Sequence, residues 1–199
     1  MTEQNSFSHP AFQNALEVVA WFNDMGRQDG TRLRPKQLQM LLYVAQGLYA
    51  AANQGGMLMP SRFVGTSNGP VEPTLFAVLQ EPINPLPAKN IDQRAEACLN
   101  LVWKKFATME LAELEEFVTA DPALADVVKQ APGAEVPLER MADSFYDRMI
   151  GGARRPSIAQ AEEAVAQSQS AADSGDAAIP RMTPDGKVVK KWMPTRRVN

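Results

Sequence analysis

The chain has 199 residues, of which 45% are hydrophobic, a composition typical of one globular core with room for a tail. No run of about 18 apolar residues occurs, which excludes a predicted membrane span, and the polar N-terminal stretch lacks the order of a signal peptide. The single cysteine, Cys98, excludes an internal disulfide and favours a cytoplasmic location.

Charge is distributed unevenly along the chain. From Arg181 onward there are six basic residues and one acid, a net charge of +5; because the whole chain carries −3, the preceding residues carry −8. An acidic body is not expected to bind nucleic acid, which requires a basic face. The simplest interpretation of the acidic residues is that they keep the surface soluble.

Apolar residues recur at helical spacing in the first quarter of the chain. The first helix is predicted to begin near Ser8, with Pro10 in its first turn, and to end at Gly26 to Gly30. The second is predicted to begin at Pro35 and to end just before Asn53. It has the most regular inward stripe of the chain, formed by Leu38, Leu41, Leu42, Ala45, Leu48 and Tyr49.

Glycine and proline interrupt the next segment. One short strand, a hairpin or an irregular loop is expected near residues 57–66. Pro70 and Pro73 exclude a continuous helix, and a short helix from Thr74 to Leu79 follows. Further helices are predicted over 91–106, after Thr108, from Asp121 to Val128 and from Pro137 to Ile150.

These patterns predict an all-α fold, a compact multi-helix domain over residues 8–152. Residues 153–180 are rich in Ala, Ser, Gln and acids, which predicts a flexible linker. Treated as a coil, a linker of about 27 residues spans about 30 Å. Residues 181–199 regain apolar side chains among cations, and this pattern is typical of a docking peptide.

No residue pattern typical of an enzyme is present. His9, the only histidine, is expected to be solvated, and Cys98 falls on an apolar stripe, which favours a core thiol. Zinc-ligand spacing and phosphate-binding loops are absent, and the Ser67-Asn68-Gly69 stretch has no histidine to activate its serine. We therefore predict a non-catalytic binding protein without a metal or cofactor.

Two stretches resemble a known family. Leu33–Tyr49 reads L-R-P-K-Q-L-Q-M-L-L-Y-V-A-Q-G-L-Y, and Asn68–Pro73 reads N-G-P-V-E-P. Together with residues 99–117 they resemble the Panacea domain, a phage-associated, GepA-like antitoxin family, over about residues 10–150. The resemblance implies a helical antitoxin that binds a cognate protein toxin.

The long tail makes the chain similar to those members of the family that act as proteolytic adaptors. The resemblance then implies delivery of the toxin to the ClpXP protease, and a toxin that targets the replication sliding clamp. A masking antitoxin without a protease role is the first alternative. A nucleic-acid-binding regulator is the second, because Trp192 among cations can stack on a base.

Two candidate sites follow. Toxin binding is assigned to the 68–71 loop and to the polar side of the second helix, which is expected to be exposed: Lys36, Gln39, Gln46, Asn68, Gly69, Pro70 and Val71. Protease docking is assigned to Lys187, Val188, Val189, Lys190, Lys191 and Trp192, with apolar anchors and steering lysines. The alternatives are that Gly69 and Pro70 only shape a turn, that Gln46 only pins a loop, and that the tail wraps the toxin.

Overall fold

A computed structural model describes residues 9–80, 85, 87, 88 and 90–151. This part of the chain contains α1 Ala15–Asp29, α2 Pro35–Ala52, β1 Val64–Thr66, β2 Gly69–Val71, α3 Pro73–Val78, α4 Gln93–Val102, α5 Leu111–Thr119, α6 Pro122–Gln130 and α7 Leu138–Phe145. Helices α4 and α7 continue into π-helical turns at Trp103–Ala107 and Tyr146–Ile150. The predicted helical fold is confirmed, whereas the predicted linker (153–180) and docking tail (181–199) lie outside the described residues.

Helix α2 is the central element of the core. Every residue from Leu38 to Ala50 is buried, as in a helix that is covered on all sides. Gly47 permits the close approach of α7, because a Cβ at this position would lie 2.6 Å from Phe145 Cε2. The packing of α7 on α2 therefore depends on the missing side chain of Gly47.

Helix α1 begins later than its sequence pattern predicts. Its first residue is Ala15, and the Asn14 side chain accepts a hydrogen bond from Glu17 N at 3.1 Å. The residues before it are not helical: Ala11 N and Phe12 N donate to Met57 O and Leu58 O at 3.0 and 2.8 Å. The start predicted near Ser8 is wrong, because this long-range pairing uses backbone groups that a helix would need and buries Phe12.

The hairpin also lies further along the chain than residues 57–66. Strands β1 and β2 are antiparallel, and Val64 pairs with Val71. On the other side of β1, Val136 N donates to Phe63 O at 2.7 Å, and Gly65 N donates to Ala134 O at 2.9 Å. The segment before α7 thus covers the outer edge of β1.

Candidate protein-binding site

Two glutamines of α2 each hold a distant loop through a pair of amide hydrogen bonds. Gln39 Oε1 accepts from Glu72 N at 2.8 Å, and Gln39 Nε2 donates to Glu72 O at 3.4 Å. Gln46 makes the equivalent pair with Met59, at 3.1 and 3.2 Å. Two turns apart on α2, the two side chains lie on the same face.

These contacts correct one sequence prediction. Gln39 and Gln46 were expected on an exposed side of the helix, yet they are only 4% and 1% exposed. The prediction is wrong because the loops at Met59 and Glu72 cover this face, and each loop needs a side-chain amide to satisfy its backbone. The alternative that Gln46 pins a loop agrees with the observed contacts.

The Asn68–Val71 stretch forms the turn and second strand of the hairpin. Gly69 has φ of +108°, a backbone conformation that favours glycine, and a Cβ there would lie 3.5 Å from Met40 Cε. Gly69 and Pro70 are buried and Val71 is half-buried, so Asn68 is the most open residue of the stretch. Thr66 Oγ1 stabilises the turn by donating to Gly69 O at 2.7 Å.

Lys36 is the predicted site residue of α2 that does reach the surface. Its side chain is 42% exposed, and Nζ lies 2.6 Å from Glu115 Oε1 of α5. An ion pair with this much solvent exposure contributes little to folding. Lys36 therefore joins α2 to α5 at the surface, and its ion pair is with α5 and not with the hairpin.

The structure thus joins the two stretches that carry the family resemblance. Gln39 belongs to the first stretch and Glu72 to the second, and their mutual hydrogen bonds connect positions that are 33 residues apart. Glu72 is 7% exposed, and its carboxylate accepts from Leu75 N at the start of α3. We call the hairpin and α3 together, residues 64–78, the hairpin–α3 face.

A buried carboxylate lies at the junction of α2, α6 and α7. Asp121 is fully buried; it accepts hydrogen bonds from the hydroxyls of Tyr43 and Ser144, and Arg148 Nη1 lies 3.7 Å from its Oδ1. Burial raises the pKa of the Tyr43 hydroxyl, and the adjacent Asp121 charge raises it further. Tyr43 therefore stays protonated and acts as a donor.

Arg148 joins this carboxylate to α5. Its Nη2 donates to Phe117 O at 2.8 Å, and its guanidinium carbon lies 4.2 Å from the centre of the Phe117 ring. Arg148 lies in the π-helical turn that continues α7. The Asp121 network, defined as Tyr43, Asp121, Ser144 and Arg148, thus joins α7 and this turn to α2.

The single cysteine and the single histidine occupy different surroundings. Burial raises the pKa of the Cys98 thiol to about 12, and its Sγ lies 3.7 Å from Ala45 O. A thiol in this state is a poor nucleophile at neutral pH. His9 is exposed, as the sequence predicted.

Two features of the site were missed from the sequence. Phe76 is 52% exposed on α3, and its position beside the inward stripe of Leu75 and Leu79 could have revealed it. The Asp121 network left no local signal, because its donors come from positions 78 and 23 residues away.

The candidate protease-docking residues, Lys187 to Trp192, lie outside the described residues. Among the helices that the structure describes, none is both long enough and apolar enough to cross a membrane. Within the same described ranges, no three His, Cys, Asp or Glu side chains are grouped to hold a metal ion.

Comparison of the chain with protein-family models, with curated proteins and with solved structures finds no match.

Proposed function

We propose that the chain is an antitoxin that binds a cognate protein toxin and delivers it to ClpXP, in the manner of the SocA proteolytic adaptor. The cargo would be a SocB-like toxin, one that targets the replication sliding clamp. One observation carries the proposal: the two stretches that resemble the Panacea domain hold each other through Gln39 and Glu72. The hairpin–α3 face that they build is the surface to which we assign the toxin.

The support beneath this face favours a binding role. Glu72 is held by Gln39 and caps α3, so the face is ordered before any partner arrives. A preorganised surface loses less conformational entropy on binding than a mobile one. Asn68, at the tip of the hairpin, and Lys36, on α2, are the exposed polar residues that we assign to the toxin contact.

An adaptor also needs an element that binds the protease. The sequence places Val188, Val189 and Trp192 among lysines, and such apolar anchors with steering cations are typical of a docking peptide. A tether of this length raises the local concentration of bound cargo at the protease to about the millimolar range. We assign the protease contact to residues 187–192.

The first test of this proposal is co-expression with the product of the adjacent gene, followed by affinity purification and mass spectrometry. We expect a stable complex with a small toxic protein. Recovery of the chain without a protein partner, or turnover of a small substrate by the purified chain, would contradict the proposal.

The protease role is tested separately with the purified toxin complex, ClpXP and ATP. We expect the full chain to accelerate toxin loss, and a chain that ends at Gly152 to bind the toxin without accelerating it. A full-length chain with residues 187–192 in scrambled order is the matched control, because it keeps length and charge. Toxin that persists beside the full chain would favour a masking antitoxin.

Two other roles of the tail are tested, one with the truncated chain and one with the full chain. Loss of toxin binding by the chain that ends at Gly152 would show that the tail wraps the toxin. Retention of the full chain on DNA, falling steeply with salt, would favour the nucleic-acid regulator.

A further inference from the structure

Phe76 is a large apolar side chain that the fold leaves in solvent. Its neighbours Leu75 and Leu79 are 3% and 6% exposed and face the core, whereas Phe76 is 52% exposed. Successive residues of a helix point about 100° apart, so Phe76 lies at the side of α3, outside the line of Leu75 that enters the core. The packing of Leu75 in the core therefore keeps the Phe76 ring at the surface.

The ring stands on a rigid support. Leu75 N donates to the carboxylate of Glu72, and Phe76 N donates to Glu72 O at 2.9 Å. Glu72 is itself held by Gln39 of the central helix. An aromatic side chain has few rotatable bonds, so on this base it can enter a partner's pocket at a small entropic cost.

The stretch of chain that carries the ring contains almost no charge. Residues 63–80 include a single ionisable side chain, Glu72, which is buried. The exposed ion pair at the start of β1 joins Arg62 to Glu135 at 3.6 Å and is neutral in sum. By contrast, α5 presents Glu110, Glu113 and Glu116 to solvent.

Charge depletion together with an aromatic is the composition found at the centre of protein interfaces. A nucleic acid would find no lysine or arginine within residues 63–80 to neutralise its phosphates. A charged protein surface would lose hydration with no opposite charge in return. The complementary partner surface is therefore an uncharged apolar pocket on a protein.

We infer that Phe76 is the anchor residue of the toxin interface and inserts into an uncharged apolar pocket of the toxin. This inference rests on the proposed function, since it takes the cognate toxin as the partner. Ala77, with Pro73 and Gln80 at the i−3 and i+4 positions of the ring, is exposed, and these three residues form the rim that excludes water around it.

The test uses two matched pairs of variants in the full chain, and the affinity for the purified toxin is measured by calorimetry. Phe76→Ala is compared with Leu101→Ala, because Leu101 is 49% exposed on α4. We expect at least a tenfold rise in Kd for Phe76→Ala and less than a twofold change for Leu101→Ala.

The second pair introduces a charge. Ala77→Glu is compared with Ala97→Glu, since both alanines are exposed on helices. We expect Ala77→Glu to raise the Kd about tenfold by placing an uncompensated charge at the rim, and Ala97→Glu to leave it unchanged. Thermal unfolding of each variant verifies that the fold is intact. If Phe76→Ala does not fold, the second pair of variants tests the inference by itself.

The outcomes separate the inference from the function on which it rests. If the wild-type chain binds the toxin and both α3 variants bind equally well, the inference is overturned and the proposed function stands. If the wild-type chain binds no toxin, the proposed function fails and the inference fails with it. If sedimentation shows a homodimer that Phe76→Ala dissociates, the occupant is a second copy and the inference is overturned.

Discussion

The Asp121 network and the Gln39–Glu72 junction, which is the pair of hydrogen bonds between these two residues, both bury polar groups against α2. They differ in the groups that they pair and in the parts of the fold that they support. The network encloses a carboxylate and an arginine between α2, α6 and α7. The junction pairs the Gln39 amide with backbone groups of Glu72, whose buried carboxylate caps α3, and it supports the exposed hairpin–α3 face. The network thus holds helices together, whereas the junction positions a surface.

Removing the central carboxylate should have the largest effect. Asp121→Ala leaves the Arg148 charge and two hydroxyls without their acceptor, so we expect the free energy of unfolding to fall by about 3–5 kcal/mol. Asp126→Ala, at an exposed position of α6, should change it by less than about 0.5 kcal/mol. Urea titrations of both variants provide the measurement, and equal losses would show that the network does not carry the stability assigned to it.

The next effect concerns the close contact between α2 and α7. Gly47→Ala would place a Cβ 2.6 Å from Phe145 Cε2, and we expect a loss of about 3 kcal/mol through overpacking. Phe145→Leu should be less harmful in the Gly47→Ala background than in the wild type, because it removes the ring. A double-mutant cycle measures this coupling, and purely additive losses would contradict the predicted overlap.

The two glutamines allow a matched comparison. Gln39→Ala and Gln46→Ala each leave buried backbone groups unpaired, and we expect each to cost about 2 kcal/mol. The backbone amide of Glu72 should exchange its hydrogen faster in the first variant, and that of Met59 should do so in the second. Toxin binding should weaken more in Gln39→Ala than in Gln46→Ala. Equal weakening would show that the Gln39–Glu72 hydrogen bonds have no specific role in supporting the hairpin–α3 face.

The smallest expected effect depends on pH. The pKa of Cys98 rises from 9.0 to about 12 on burial, so between these pH values the unfolded chain loses the proton first and the folded state becomes less favoured as pH rises. Relative to Cys98→Ala, the wild type should lose about 1 kcal/mol of stability by pH 10. Denaturation at pH 7 and pH 10 measures the difference, which would stay constant if the folded thiol ionised normally.

Several helix boundaries were predictable because their signals are local. Pro35 and Pro122 are the first residues of α2 and α6, where a missing N–H costs little. The inward stripes of α4 and α7 also follow from helical spacing. The start of α1 was not predictable in this way, since backbone groups of the 57–58 loop decide it.

The amino-acid sequence by itself determined the helical class and the starts of α2 and α6, because propensity and periodicity act over a few residues. The protein-binding hypothesis came from the absence of catalytic patterns and from the family resemblance. Only the tertiary structure decided which polar side chains are buried. Gln39 looks like a surface residue until Glu72 folds over it, and Asp121 looks like a simple helix cap although Tyr43 and Ser144 take its oxygens. The physical reason is that burial and hydrogen-bond pairing depend on segments that are distant in the chain.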